Sequence, residues 1–225
     1  MDLLENISAV IFDFDGTFYD NQGIGKDLVL SHPFNLLRIK SERDVRKSLK
    51  NQFFGSKEEY MKEYSKRFSL KTTLSESKAE KWYEEKYLKW LTTSISKKKA
   101  YENVENVLLA LKSKGIKTAI YSDYPVLKER MSVLHLDSSI PDYIFDAESL
   151  GGQKPAKPLM DKILKEINAS PEKVLVVGDR ADTDGQSAFC SGAKFVQIRG
   201  YKTKNAPQPE GYPLMDWDAF VKEIL

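Results

Sequence analysis

Short, nearly continuous apolar runs recur along this chain at residues 7–12, 118–121, 143–145, 174–177 and 195–198, and this recurrence constrains the fold more than any other feature. Runs this short, rich in β-branched residues and bounded by Gly or acidic positions, read as strands buried on both faces. Between them the period changes to that of a helix: Val104, Val107, Leu108 and Leu111; Leu127, Met131 and Leu134; Leu159, Ile163, Leu164 and Ile167. Buried strands alternating with amphipathic helices predict an α/β fold with a parallel sheet covered on both faces. Trp217, Phe220, Val221 and Ile224 predict a last helix that docks on this core.

Residues 19–99 break the rhythm. They show helical periodicity without a buried-strand run, so the predicted organisation is an α/β core of residues 1–18 and 100–225 with an all-helical insertion, 19–99, between its halves. Ser56 with Glu59 and Ser77 with Glu80 have the spacing of capping boxes. Tyr60, Tyr64 and Phe68, then Tyr83, Tyr87 and Trp90, mark apolar faces that are expected to form the insertion's own packing core.

With 225 residues, 41% apolar and 30% charged, the chain has the composition of a soluble globular protein. No apolar run approaches the roughly 18 residues of a membrane span, and residues 1–12 lack a basic start and long apolar stretch, so no membrane association and a cytoplasmic location are expected. Cys190 stands alone, which excludes an internal disulfide framework and a thiolate cluster; it is expected to be a small buried side chain. The net charge of +2 is unevenly divided. Residues 18–102 hold 19 Lys and Arg against 12 Asp and Glu, a balance of +7 that leaves −5 elsewhere. No interleaved basic and aromatic signature accompanies it, so nucleic acid is not an expected partner.

The chemistry is written in loops that follow the strands. After the first run comes Asp13-Phe14-Asp15-Gly16-Thr17. In a parallel sheet this loop lies at the carboxyl edge, where ligands bind, and Gly16 permits the turn that would let both carboxylates converge. One carboxylate can attack phosphorus while a second exchanges protons with the leaving oxygen and then with water. Mg²⁺ would screen the repulsion between these carboxylates and a phosphate. A second acidic loop, Gly178-Asp179-Arg180-Ala181-Asp182-Thr183-Asp184, follows the run at 174–177 and can meet the first at the same edge. Ser122, after the run at 118–121, can donate to a phosphate oxygen; Lys154, in Gly151-Gly152-Gln153-Lys154-Pro155, can neutralise the phosphate and the Asp13 carboxylate. Gly16, Thr17, Asp123, Tyr19 and Lys157 complete the candidates for substrate contact, with Tyr19, Asn21 and Gly23 at the expected hinge of the insertion.

Taken together these motifs resemble those of the haloacid dehalogenase-like superfamily. Asp13-Phe14-Asp15-Gly16-Thr17 is similar to its first motif, Ser122 to its second, Lys154-Pro155 to its third, and Gly178-Asp179 with Asp184 to its fourth, in the family's order. The resemblance implies Asp13 as nucleophile, Asp15 as acid/base, and Mg²⁺ held by Asp13, the Asp15 carbonyl and Asp179, with Asp184 beside it. It also implies a Rossmann-like core and a helical cap of the C1 kind. Two positions depart from the pattern. Lys157 stands where the third motif often has a second proline, making it a rival to Lys154; Lys154 is preferred for its 25-residue separation from Asp179 and its Gly-Gly lead-in. Asp182 rivals Asp184, which is preferred because residues 184–192 resemble the family's small-residue helix. The expected activity is hydrolysis of a small phosphorylated metabolite through an aspartyl-phosphate; a phosphomutase or phosphotransferase would use the same residues, and a catalytically idle phosphate-binding protein is the reading outside enzymology. A dehalogenase would need no second carboxylate, so Asp15 argues against one.

Overall fold

The computed structural model describes residues 3–225; Met1 and Asp2, with which the expected core segment 1–18 begins, lie outside the described residues. Strand β1 (Ala9–Phe12) is followed by helices α1 (Ile24–Ser31), α2 (Leu36–Leu49), α3 (Lys57–Lys71), α4 (Glu76–Trp82) and α5 (Leu88–Ile95), the last two joined through a π turn at Tyr83–Tyr87. Next come α6 (Val104–Ser113), β2 (Lys117–Ser122), α7 (Leu127–Ser132), β3 (Tyr143–Asp146) and α8 (Lys157–Glu166). The chain ends with β4 (Val174–Gly178), α9 (Gln186–Ser191), β5 (Lys194–Ile198), β6 (Leu214–Met215) and α10 (Trp217–Ile224).

The strands form one parallel sheet in the order β3-β2-β1-β4-β5-β6. Every apolar run of the sequence contributes a strand. Only β6 was not anticipated, because two residues carry no periodic signal. Side chains alternate across the sheet. Val10 and Phe12 pack with Ile120, Val177 and Ile198 against Val107 and Leu111 of α6 and Phe220 and Ile224 of α10. Ala9 and Ile11 pack on the opposite face with Ala119, Val176, Leu159 and Ile163 of α8, and Ala188 of α9. This is a Rossmann-like α/β fold with helices on both faces.

Between β1 and β2, α1 to α5 build a helical layer whose interior is aromatic. The Tyr64 and Tyr83 rings lie 4.8 Å apart, and Phe68 and Trp82 lie 5.1 Å apart. Ser56 caps α3 as expected, its hydroxyl accepting from the Glu59 amide at 3.3 Å. The second capping box is not where its spacing placed it: α4 begins at Glu76 with Ser75 as N-cap, so Ser77 already lies in the first turn. Cys190, expected to be buried, is exposed; Ala188 takes the inward position on α9.

Backbone pairing ties this layer to the sheet region at two places. Tyr19 and Ala100 form an antiparallel bridge at the ends of the helical segment. A second bridge joins Phe53 to Gly152, flanked by bonds from the Phe54 amide to the Gly151 carbonyl at 2.8 Å and from the Gln153 amide to the Gln52 carbonyl at 3.0 Å. The α2–α3 connection is thereby paired with the loop that carries Lys154.

Candidate active site

Strand order brings three loop beginnings side by side. β1 lies between β2 and β4, so Asp13 and Asp179, just past their strands, and Ser122, the last residue of β2, share one carboxyl edge at the point where the chain reverses its direction of strand addition. The Asp13 amide still pairs with the Val177 carbonyl at 2.8 Å, and the chain turns away only afterwards. Gly16 makes that turn at φ +91°; a Cβ there would stand 2.6 Å from Asn21 Nδ2 and 2.8 Å from Asp179 Cγ. No side chain fits beside those groups, and the backbone conformation itself favours glycine. Gly178 is required for space alone, since its Cβ would meet Asp184 Cγ at 2.6 Å.

Lys154 is the hub of the buried polar atoms. Its Nζ donates to Asp13 Oδ1 at 2.7 Å, to Asp184 Oδ1 at 3.0 Å and to the Tyr121 carbonyl at 2.7 Å. Thr17 Oγ1 donates to the other Asp13 oxygen at 3.2 Å, and the Lys154 amide donates to Asp123 Oδ1 at 3.2 Å. Burial opposes the charge on Lys154, but Asp13 and Asp184 outweigh it and hold the ammonium protonated well above its ordinary range.

Asp13, Asp179 and Asp184 each bring a carboxylate oxygen within 4.8 Å of the others. Burial, reinforced by Asp184 and only partly opposed by Lys154, pushes Asp13 up to about 7. Burial together with Asp13 and Asp184 pushes Asp179 up to about 9, and burial also raises Asp184. Asp179 Oδ1 is buried with no hydrogen-bond partner. Three converging carboxylates, two of them bridged by Lys154, and an orphaned oxygen are a donor set suited to a hard divalent cation such as Mg²⁺, which prefers oxygen ligands.

Asp15 occupies a different environment. Ser122 Oγ donates to its Oδ2 at 3.0 Å, and Tyr19 Oη and the Arg130 guanidinium both donate to its Oδ1. Burial alone would raise this carboxyl, but Arg130 and the bonds from Tyr19 and Ser122 outweigh it and hold Asp15 below the usual carboxylate range. Two carboxylates two residues apart are thus driven in opposite directions by their surroundings.

The rival residues fall elsewhere. Lys157 is exposed at the start of α8 and pairs with Asp161 at 2.6 Å. Asp182 is 57% exposed and pairs with Arg180 at 2.8 Å and with Lys50. Ser122 faces Asp15, whereas the sequence suggested a phosphate oxygen as its partner. Two buried arginines were not anticipated. Arg130 belongs to α7, packs over the Phe14 ring at 4.9 Å and donates to Ser122 Oγ at 3.1 Å. Arg46 of α2 donates to Glu42 Oε1 at 2.7 Å, Gln153 Oε1 at 3.1 Å, Glu148 Oε2 at 3.1 Å and the Asp123 carbonyl at 3.1 Å. A signal was present for both. Arg130 falls between Leu127 and Met131 on the apolar stripe of its helix, and Arg46 lies beside Val45 and Leu49, where an unpaired cation would be costly.

A doubly wound sheet with a lysine-bridged acidic cluster at its carboxyl edge defines a Rossmann-like protein with a polar edge site. Its sequence matches the haloacid dehalogenase-like hydrolase family over residues 7–192, and the chain belongs to that family. It is 29% identical to a phosphoglycolate phosphatase of Aquifex aeolicus over 211 residues, 90% of each chain. Over 202 residues it is 24% identical to a glyceraldehyde 3-phosphate phosphatase of Pyrococcus furiosus, covering 87% of this chain and 82% of that one. The 2-haloacid dehalogenase of Pseudomonas syringae pv. tomato shares the fold with a TM-score of 0.65 at 14% identity, over 96% of this chain and 97% of the other.

Proposed function

We propose that the chain is a magnesium-dependent phosphatase that hydrolyses a small phosphate monoester through an aspartyl-phosphate on Asp13. The observation that carries the proposal is the Lys154-bridged Asp13–Asp184 pair beside the orphaned Asp179 oxygen. A phosphoryl group and a divalent cation together would satisfy these atoms. Both relatives named above are phosphatases by name, which supports the same reading.

In the first half-reaction an Asp13 oxygen attacks phosphorus and the bond to the substrate's alcohol oxygen breaks; Asp15 gives that oxygen its proton. In the second, Asp15 takes a proton from water, the hydroxide attacks phosphorus, and the bond to Asp13 breaks to return the carboxylate. Asp15, held ionised by Arg130 and Tyr19, is set for the second half. The first half requires it to reach the substrate carrying a proton, with those contacts loosened. Lys154 offsets charge on Asp13 and on the phosphoryl oxygens throughout. Asp13, Asp179, Asp184 and the Asp15 carbonyl would hold Mg²⁺, which supplies charge neutralisation to the phosphoryl group.

Residues 19–99 act in this reading as a cap that excludes water and contacts the leaving group. Gly16, Thr17, Tyr19 and Asp123 would contact the substrate. Turnover of p-nitrophenyl phosphate by the purified chain with Mg²⁺, its loss in EDTA, and its absence in Asp13→Asn test the proposal. Persistent metal-dependent turnover in Asp13→Asn would remove the covalent route.

A further inference from the structure

Two cavities open beside the carboxylates, and their walls differ in kind. One, of about 270 Å³, is bounded by Lys154, Asp123 and Thr183 together with Arg46, Lys47 and Lys50. Cationic walls of this sort suit a phosphoryl group. The other, of about 430 Å³, begins at Asp15 and Asp179 and is walled mainly by Leu28, Val29, Ile39, Tyr87, Leu91 and Tyr124, together with Asn21 and Lys40. Glu42 also lines it, but its carboxylate is paired with Arg46 at 2.7 Å. Arg43, Tyr124, Arg180 and Lys202 border both cavities, so one ligand can reach from the first into the second.

Resting on the phosphomonoesterase reading, Asp15 fixes which part of the substrate goes where. An acid/base group must face the oxygen that joins phosphorus to the alcohol, so the alcohol lies on the Asp15 side, and that side is the apolar one. A two- or three-carbon polar alcohol would leave most of this volume to water against aliphatic and aromatic walls, which is the unfavourable arrangement. Cavities of about 300–1,000 Å³ accommodate ligands much larger than that. We propose that the substrate is a phosphate monoester whose alcohol carries a ring-sized apolar body, seated among Leu28, Ile39, Tyr87, Leu91 and Tyr124.

Ethyl phosphate and 2-phenylethyl phosphate test this cleanly, because their alcohol leaving groups are close in acidity and differ in the apolar body. With the full chain and Mg²⁺, kcat/KM for 2-phenylethyl phosphate should exceed that for ethyl phosphate by at least about tenfold, mainly through KM, as burial of a ring warrants. It should also exceed the values for phosphoglycolate and glyceraldehyde 3-phosphate. Leu28→Trp fills the cavity and should erase the advantage, read as the ratio of kcat/KM for the two esters. Leu28 is buried, so Leu36→Trp, at a lining position 45% exposed, provides a second variant that the fold tolerates more readily. Equal or lower kcat/KM for the phenylethyl ester, or folded variants that leave the ratio of the two esters unchanged, would overturn the inference. Turnover of no ester at all, p-nitrophenyl phosphate included, would instead remove the phosphomonoesterase reading and this inference with it.

Discussion

An ammonium that touches three oxygens in a buried site has no substitute in water, whereas one on a helix surface is replaced by solvent at little cost. Lys154→Ala should therefore lower kcat/KM on an activated phosphate ester by about 10²–10³-fold, the scale of removing one preorganised donor. Lys157→Ala, whose partner Asp161 is itself exposed, should remain within about twofold. The reverse order in a steady-state comparison would reassign the role. The acidic trio predicts a second, metal-dependent behaviour. Asp13 and Asp179 are raised to about 7 and about 9 when folded, from an ordinary carboxylate near 3.8. Groups raised in this way bind protons more tightly in the native state, so the stability they contribute is present below the ordinary carboxylate range and is lost as pH rises through the folded values. Asp15, held low, acts in the opposite sense, stabilising above that range and losing its contribution as pH falls. In EDTA the melting temperature should decline between about pH 5 and about pH 9, and Mg²⁺ should raise it more at the upper end. Melts that are flat across this range and indifferent to Mg²⁺ would contradict both the crowding of the carboxylates and their use as a metal site.

At the scale of the elements, the contact between α2 and the loop after β3 is the one most exposed to a single change. Arg46 joins Glu42, on its own helix, to Glu148 and Gln153 across the interface, and its guanidinium lies 3.9 Å from the Tyr124 ring. Tyr60 and Tyr83 add bonds to Gln153 at 2.8 Å and Glu148 at 2.6 Å. Arg46→Met would leave two buried carboxylates without their cation and should cost about 3–5 kcal/mol. In a chain of this length that corresponds to a fall in melting temperature on the order of 10 °C. Restoring much of the loss with Glu148→Gln in the same chain would show that the stranded charge is responsible; no recovery would assign it to lost packing instead. The same network, with the Phe53–Gly152 bridge, opposes wide hinge motion of α2 and α3. The hinge expected at Tyr19, Asn21 and Gly23 takes no account of this second attachment.

Over the whole molecule, charge is segregated. The +7 balance of residues 18–102 sits over a sheet edge whose buried charges are mostly carboxylates, and Arg43, Lys47, Lys50, Arg180 and Lys202 line the smaller cavity. Such a field should speed the approach of a phosphorylated ligand and be screened over about 10 Å at 0.1 M salt. On this basis kcat/KM for a dianionic ester should fall several-fold between about 0.05 and about 0.5 M NaCl while kcat changes little. Lys47→Glu should flatten that dependence without altering the melt appreciably, since an isolated surface charge contributes little to stability. A salt dependence unchanged by the substitution would mean that these charges only solvate the surface.

The sheet, its parallel sense and the edge that carries the acidic loops were legible because strands buried on both faces must be short and apolar, and because loop carboxylates after such strands can meet only at one edge. The helical character of residues 19–99 was legible for a similar reason, through period and composition. Ser77 misled because a capping box is a local pattern and helix starts shift by a residue or two: the helix begins at Glu76, with Ser75 at the N-cap position and no side-chain cap bond. Tertiary structure decided what spacing cannot express: which of two lysines three residues apart turns inward, which of two aspartates two residues apart is exposed, and that Arg130 and Arg46 are drawn into the interior by carboxylates distant in sequence. It also decided that one carboxyl of the Asp13–Asp15 pair is raised and the other lowered. Sequence neighbours share a loop, but a protonation state depends on burial and on charges brought close by folding, and here those come from Lys154 and Asp184 on one side and from Arg130 on the other.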